Sequence, residues 1–198
     1  MEDRAERLRA TTNVGIIINP KHAATNRAYS TLTEALRDRR VAYRTMTTTA
    51  ARGGRWQAEQ LLDWGAKFVI ILGGDGTIRA AAPPLASAGI VVLLVPTGTA
   101  NVLSRHVGIS STRQAIEHCL HTLRNAADGV RMHSGGIPLN TAEARLTDGR
   151  WQQTVFLCLA GIGGDARAVA RRHLAPGLLG YAWGAARALF AQGFTLDG

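Results

Sequence analysis

The feature that most constrains this chain is a repeated alternation. Short, unbroken apolar runs are each followed by a stretch with helical spacing. The runs are "VGIIIN" (Val14–Asn19), "KFVIIL" (Lys67–Leu72) and "IVVLLVP" (Ile90–Pro96), while "VAYRTM" (Val41–Met46), which is interrupted by Arg44 and Thr45, reads as a further strand. Strands that are apolar throughout, rather than at every second residue, are those buried on both faces of a sheet. The intervening patterns predict helices over roughly Asn26 to Arg39, with Tyr29, Leu32 and Leu36 on one side, and over "RWQAEQLLDWG", where Gly65 acts as a C-cap. An alanine-rich helix after the glycine loop is expected to end near Pro83–Pro84 or at Gly89. A short helix follows in "TGTANVLSRHVG", then a capped amphipathic one in "SSTRQAIEHCLHTLRNA". A strand, a helical crossover and another strand make a parallel pair. The expectation is therefore an α/β fold, a doubly wound and mostly parallel sheet, over residues 13–127.

After "RNAADG" the texture changes. "NTAEARLTDGRWQQTVFLCLAG" alternates more, and Asp148–Gly149 signals an antiparallel hairpin. Residues 128–198 are expected to form part of a second, β-rich lobe with C-terminal helices. The apolar stretch "LLGYAWGAARALFAQGF" is interrupted by glycines and by Arg187, so it reads as a helix packed on the protein or at most touching a membrane surface. No run approaches the ~20 apolar residues a membrane-spanning helix needs. The start, "MEDRAERLRATTN", has no apolar signal-peptide core.

A composition of 46% hydrophobic and 19% charged residues suits a globular core. The net charge is +9, and Lys21 and Lys67 are the only lysines. That balance serves nucleotide phosphates or an anionic membrane, and also follows from a coding bias toward arginine. The basic residues are scattered and not interleaved with aromatics, so nucleic acid is not expected as a partner. Cys119 and Cys158 sit in apolar patterns, which fits a reduced, cytoplasmic compartment rather than a disulfide framework.

In an open α/β sheet, ligands bind outside the carboxyl ends of the strands. Three turns fall there: "NPKHAATN", "GGDGT" and "PTGTAN". Their small, hydroxylated and amide residues suit close approach of a phosphate to backbone N–H groups. Gly73, Gly74 and Gly76 remove the Cβ atoms that would block this approach and permit positive φ. Thr77 is placed to cap or begin the next helix, whose positive end would face an anion. A carboxylate in such a loop repels a phosphate unless a cation or a hydroxyl proton comes between them. The role expected of Asp75 is to organise Mg²⁺, directly or through water, or to orient an attacking hydroxyl.

Other motifs fit less well. No Walker-type G-x-x-x-x-G-K-[ST] occurs, and no G-x-S-x-G elbow. "GIGGDA" (Gly161–Ala166) matches the dinucleotide glycine pattern, yet no acidic residue stands between Asp165 and Asp197 to hold a ribose. "HCLH" (His118–His121) lacks further zinc ligands in its pattern and reads as helix surface.

The ordered combination of Asn-Pro, GGDGT and P-x-G-T-x-N resembles the diacylglycerol kinase catalytic domain family of lipid kinases, most closely its actinobacterial branch. The similarity runs from "IIINP" through "LAGIGGDARAV". The resemblance implies an ATP-dependent, Mg²⁺-requiring phosphotransferase acting on a lipid hydroxyl at a membrane surface. It would lie in the cytoplasm, peripherally at the inner face of the membrane, and self-association is compatible with it. By matching motifs, the ATP site would comprise Asn19, Pro20, Lys21, Thr48, Gly73, Gly74, Gly76, Thr77, Thr99 and Asn101, with Asp75 the carboxylate of the active centre.

Three departures stand out. Arg79 and Ala80 replace the Asn-Glu that often follows GGDGT, and Val102 stands where many bacterial members carry an Asp. The family's D-G-E-like motif, which supplies the general base, is not present, so the chain is expected to be truncated within the second lobe. Two alternatives stay open: a non-catalytic nucleotide-binding or regulatory module, and a soluble-substrate kinase such as NAD kinase. The latter lacks support from the Asn-Asn-Glu expected after its glycine loop.

Overall fold

The computed structural model describes residues 13–130, 135–145 and 148–157. The first strand, β1 (Val14–Ile18), is buried at every position. It leads into α1 (Ala23–Asp38), β2 (Tyr43–Thr47), α2 (Arg55–Asp63), β3 (Phe68–Gly73), α3 (Asp75–Ser87), β4 (Val91–Pro96), α4 (Val102–His106) and α5 (Thr112–Ala127). The four strands form one parallel sheet in the order β2-β1-β3-β4. The alternation read from the sequence thus becomes a doubly wound layer.

Residue parity divides the core. Val14, Ile16, Ile18, Ile70, Leu72 and Val95 pack against Leu32 and Leu36 of α1 and against Ile116, Cys119 and Leu123 of α5. Ile17, Val69, Ile71 and Leu94 face Leu61 of α2 and Ile78, Ala81 and Leu85 of α3. Because β-strand side chains alternate between faces, a sheet covered on both sides must be apolar at every residue. Gly15 lies opposite Leu61, whose Cδ1 would be 2.8 Å from any Cβ there, so a side chain at that position would push α2 off the sheet.

Helix ends follow the sequence signals with one difference. Gly65, at φ +85°, follows the last turn of α2 as expected, and Ser111 accepts from Gln114 N to cap α5. Of the two ends expected for α3, the later one holds: the helix runs through Pro83 and Pro84 to Ser87, and Gly89 follows at φ +64°. Each proline removes one backbone hydrogen bond and disfavours helix at the residue before it. The burial of Ile78, Ala81 and Leu85 on the sheet outweighs that loss. The difference is at α1, which starts three residues earlier than its apolar spacing suggests, at Ala23.

The hairpin also forms. β5 (Asn140–Arg145) pairs antiparallel with β6 (Trp151–Phe156), and Arg145 lies opposite Trp151. Asp148 and Gly149, with Gly149 at φ +83°, lie in the connecting turn. The Asp148 carboxylate accepts from the Arg150 backbone N–H and is held below its ordinary range by that bond first and by the Arg150 side chain second. The described residues all fall within one unit, which ends at Leu157. The dinucleotide-like "GIGGDA", Cys158 and the apolar C-terminal stretch lie outside the described residues. Among the described residues no helix is long and apolar enough to cross a membrane.

Candidate active site

Strand order 2-1-3-4 puts the topological switch point between β1 and β3, where chain connections leave in opposite directions and open a crevice. Asn19 follows β1 there, and Gly73 ends β3 with Gly74 next to it. The three turns singled out in the sequence meet at this point and are tied together by named bonds.

The first turn joins the second through side chains. Asn19 Nδ2 donates to Thr77 Oγ1 at 3.1 Å, and Asn19 N donates to Leu72 O. Lys21 N closes back on Asn19 Oδ1 at 3.3 Å, leaving Pro20 and Lys21 exposed on the rim. Thr77 therefore does not cap α3. The helix begins two residues earlier, at Asp75, with Gly74 as its N-cap, and no side chain satisfies the N–H groups of its first turn.

The second and third turns touch backbone to backbone. A Cβ on Gly98 would lie 2.6 Å from Gly74 Cα, and one on Gly74 would lie 3.2 Å from Gly98 Cα. A Cβ on Gly73 would strike the Thr77 side chain at 2.9 Å. None of Gly73, Gly74 and Gly76 has a positive φ, which corrects one reason given for their presence. Gly73 and Gly74 are glycines because the turns pack too closely for a side chain. Gly76 is different: it is exposed, nothing lies within 4 Å of a Cβ built there, and it leaves the start of α3 open.

Asn101 explains itself locally. It adopts the left-handed conformation (φ 49°, ψ 45°), which asparagine tolerates better than most residues. Its Oδ1 accepts from Gly98 N at 3.0 Å and its Nδ2 donates to Gly98 O at 2.8 Å. The "GTAN" segment is thus a self-stapled loop, with Thr99 on its exposed outside.

Asp75 has a role the sequence did not show. Its Oδ2 accepts from Val102 N at 3.1 Å and its Oδ1 from Leu103 N at 3.0 Å. The carboxylate of GGDGT anchors the first turn of α4, linking the second turn to the third. Each oxygen retains a further lone pair. Mg²⁺ commonly takes one or two carboxylates and fills its octahedron with phosphate oxygens and water. Asp75 fits that mode as a single protein ligand; among the described residues no group of three His, Cys, Asp or Glu side chains could hold a metal by itself.

Further contacts extend the frame. Thr25 Oγ1, buried at the start of α1, donates to buried Thr97 Oγ1 at 2.9 Å, and Thr97 N donates to Gly73 O. Thr48 N donates to Ile18 O, carrying the β2–β1 ladder one residue past the strands and burying Thr48 at the rim. Buried Gln57 holds the loop after β2 by donating from Nε2 to both Thr47 O and Arg52 O at 2.9 Å. The Arg52 guanidinium lies 4.3 Å from the Trp56 ring. Arg79, one turn beyond Asp75, donates to Thr154 Oγ1 at 3.1 Å and links α3 to the hairpin. Thr25, Gln57 and Thr97 were not singled out in the sequence. The first two are polar residues on buried helical stripes (25, 28, 32, 36 and 57, 58, 61), which is the signal that marks them.

The charge is organised by edge. Turns at the carboxyl ends of the strands, with the first five residues of the helices they lead into, carry Lys21, Arg27, Arg52, Arg55, Arg79 and Arg105 against two acids, Glu59 and Asp75. Around the amino ends, Arg37, Arg39, Arg40, Lys67 and Arg124 are offset by Glu34, Asp38, Asp63 and Asp128. The positive potential thus concentrates at the crevice, where it raises the local concentration of anions.

No match was found among curated protein sequences. A solved structure, that of a diacylglycerol kinase from Bacillus anthracis str. Sterne, is 17% identical with a TM-score of 0.44. The alignment covers 71% of this chain and 48% of that one, so this chain spans about half the length of that relative. The family profile described as "Diacylglycerol kinase catalytic domain" matches residues 13–132, well over half of the 198 residues. That span runs from the residue before β1 past the end of α5 and contains all three turns: the chain belongs to the diacylglycerol kinase catalytic domain family.

Proposed function

We propose that this chain is the nucleotide-binding part of an ATP-dependent lipid kinase, which moves the γ-phosphoryl of ATP to a hydroxyl of diacylglycerol or a related lipid. The observation that carries this reading is the open start of α3. Its first-turn N–H groups have no side-chain cap, Gly76 leaves the approach clear, and the two neighbouring turns hold it in place. Such an end is suited to phosphate oxygens. The ATP-binding set is read as Asn19, Pro20, Lys21, Thr48, Gly73, Gly74, Gly76, Thr77, Thr99 and Asn101. In this set Asn19, Thr77, Gly73, Gly74 and Asn101 fix the shape, while Gly76, Lys21 and Thr99 are free to meet the ligand.

Phosphoryl transfer asks a protein mainly for positioning and charge stabilisation. The acceptor oxygen bonds to the γ-phosphorus as the bond to the β–γ bridging oxygen breaks, ADP departs, and the hydroxyl proton leaves with a base. Mg²⁺, when bound with the nucleotide, would neutralise phosphate charge, with Asp75 as its protein ligand directly or through water. Lys21, Arg52, Arg55, Arg79 and Arg105 add a fixed positive field. The enzyme would work in the cytoplasm at the inner membrane surface.

A second reading, a nucleotide-binding module without turnover, is favoured by one observation: Asp75 is the only carboxylate in the three turns and is already engaged by two N–H groups. Labelled ATP offered with diacylglycerol micelles, and separately with NAD, decides among the readings. Transfer to lipid alone supports the kinase. Tight ATP binding without transfer supports the module, transfer to NAD supports the soluble-substrate kinase, and absence of ATP binding refutes all three.

A further inference from the structure

We propose that Thr154, on the β5–β6 hairpin, is a positioning residue: it holds the Arg79 guanidinium away from Asp75 and free to take the terminal phosphate of the nucleotide. The inference rests on the nucleotide-binding reading of the crevice and deepens it by giving that phosphate a named side chain.

Asp75 and Arg79 stand four apart in α3, the spacing at which opposite charges on a helix ordinarily meet, and with the acid on the N-terminal side, the better order. They do not meet here. Both Asp75 oxygens are drawn to the first turn of α4, accepting from Val102 N at 3.1 Å and Leu103 N at 3.0 Å. Arg79 is drawn to the hairpin instead, where its Nη1 donates to Thr154 Oγ1 at 3.1 Å. Arg55–Glu59 and Arg113–Glu117, at the same spacing in α2 and α5, are both paired. Among the described residues no ion pair joins Asp75 to Arg79, and Thr154 is the hydrogen-bond partner of Arg79.

An acid and a cation kept apart on one helix suit a ligand that brings both signs of charge, as a phosphate with its metal does. With Asp75 serving Mg²⁺, the phosphate beside the metal falls to Arg79. Gly76 and Arg79, three apart, are the exposed positions at the start of α3, while Thr77, Ile78 and Ala81 face the protein. Helical side chains lean toward the N-terminus of their helix, so Arg79, about 6 Å along the axis from Asp75, covers the turn that Gly76 leaves open. Asp75 acts where the phosphoryl group is transferred, so the phosphate within reach of its helical neighbour is the terminal one. A guanidinium presents its N–H donors in a planar fork. Thr154 takes one, and others remain to meet phosphate oxygens side by side.

The hydroxyl that does this is well seated. A lone hairpin is marginal in water, but this one is anchored at the end of β6: Val155 and Phe156 are half-buried, and Leu157 packs against the core that includes Ile78 and Ala81 of α3. Thr154 directly precedes those anchors, so its hydroxyl is fixed relative to α3 rather than carried on a loose tip. An arginine loses rotamer freedom when it binds, and a partner that has already fixed it removes part of that cost. The hydroxyl is also neutral. A carboxylate at 154 would quench the charge on Arg79, and an aliphatic residue would release the guanidinium to Asp75.

The test is calorimetric titration of the full chain with ATP and with ADP, each with Mg²⁺, for wild type, Thr154→Val, Thr154→Ser, Arg79→Ala and Arg79→Ala/Thr154→Val. Thr154 is exposed and valine favours strands, so the fold is expected to hold; Thr154→Ala replaces the valine variant if circular dichroism shows otherwise. Thr154→Val is expected to weaken ATP binding about threefold to tenfold, the scale of one hydrogen bond, and Thr154→Ser to restore it. Arg79→Ala is expected to weaken it about tenfold or more, with no further loss when Thr154→Val is added. ADP, which lacks the terminal phosphate, is expected to bind all the variants nearly as it binds wild type. A hydroxyl that only docks the hairpin would lower stability and leave the ratio of ATP to ADP affinity unchanged, which would overturn the proposal. Additive losses in the cycle, or serine failing to restore binding, would overturn it too. ATP binding untouched by Thr154→Val sinks this inference alone, whereas no ATP binding by wild type sinks the nucleotide reading and this inference with it.

Discussion

Replacing Asp75 with asparagine tests whether the GGDGT carboxylate acts only on the ligand. A residue that serves only a metal or a hydroxyl leaves the fold untouched when it becomes its isosteric amide. Here both oxygens accept backbone N–H groups, from Val102 at 3.1 Å and Leu103 at 3.0 Å. Asparagine can accept at one position only; at the other its own NH₂ would face an N–H, donor against donor. Hydrogen bonds to charged groups contribute about 1.5–3 kcal/mol each, and Asp75 is half-buried, so the lower part of that range applies. Losing one bond and the charge on the other is expected to cost about 2 kcal/mol, a fall in Tm of about 4–8 °C for a chain of this size. Thermal or urea unfolding measures the total. Hydrogen exchange at the amides of Val102 and Leu103 assigns it, with faster exchange there and no change in β1 or β3. An Asp75→Asn protein with wild-type Tm and wild-type protection at those two amides would refute the anchoring role. Activity should be abolished as well, and wild-type turnover in the variant would remove Asp75 from the mechanism.

The remaining expectations concern the glycines, the hydroxyl pair and the cysteine. Gly98→Ala places a Cβ 2.6 Å from Gly74 Cα and 2.9 Å from Asn101 Oδ1, so the two turns must separate; a loss of about 1–3 kcal/mol together with weakened ATP binding is expected in unfolding and titration experiments. Gly76→Ala meets nothing within 4 Å. It should gain about 0.5–1 kcal/mol from helix propensity and still bind ATP more weakly, and unaltered affinity would show that phosphate does not approach there. Thr25→Val leaves buried Thr97 without its donor and should cost about 1–2 kcal/mol, much of it recovered in Thr25→Val/Thr97→Val; additive losses in the cycle would exclude a coupled pair. Burial pushes the Cys119 thiol up from 9.0 to about 12. The native state thus keeps a proton that the unfolded chain gives up. This contribution is fully present below pH 9.0 and is lost as pH rises from there toward about 12. Thiol reagents at pH 8 should react slowly with Cys119 until the protein is unfolded, and rapid native labelling would contradict its burial.

What could be read from the sequence, and what could not, divides along a physical line. The doubly wound sheet was legible because burial on both faces leaves a one-dimensional trace: Val14–Ile18 and Phe68–Leu72 are apolar at every position, and Leu32 and Leu36 or Ile116 and Leu123 recur at helical spacing. The carboxyl-edge turns were legible because strand direction assigns them to one side. The bonds among those turns were not, since Asn19–Thr77, Asp75–Val102 and Thr25–Thr97 join residues 58, 27 and 72 positions apart. Composition carries no record of such pairings. The glycines illustrate the difference. Sequence reasoning gave Gly73, Gly74 and Gly76 one shared purpose, openness to phosphate. The structure splits them: two are small so that loops can touch, and one faces open space. The departures from the family pattern likewise acquire causes only in three dimensions. Ala80 sits where a Cβ on Gly54 would come within 3.2 Å of its own, Arg79 reaches across to Thr154, and Val102 offers its backbone N–H to Asp75 while turning an aliphatic side chain outward. An aspartate at 102 would set a second carboxylate beside Asp75. Valine keeps the N–H bond to Asp75 without that repulsion.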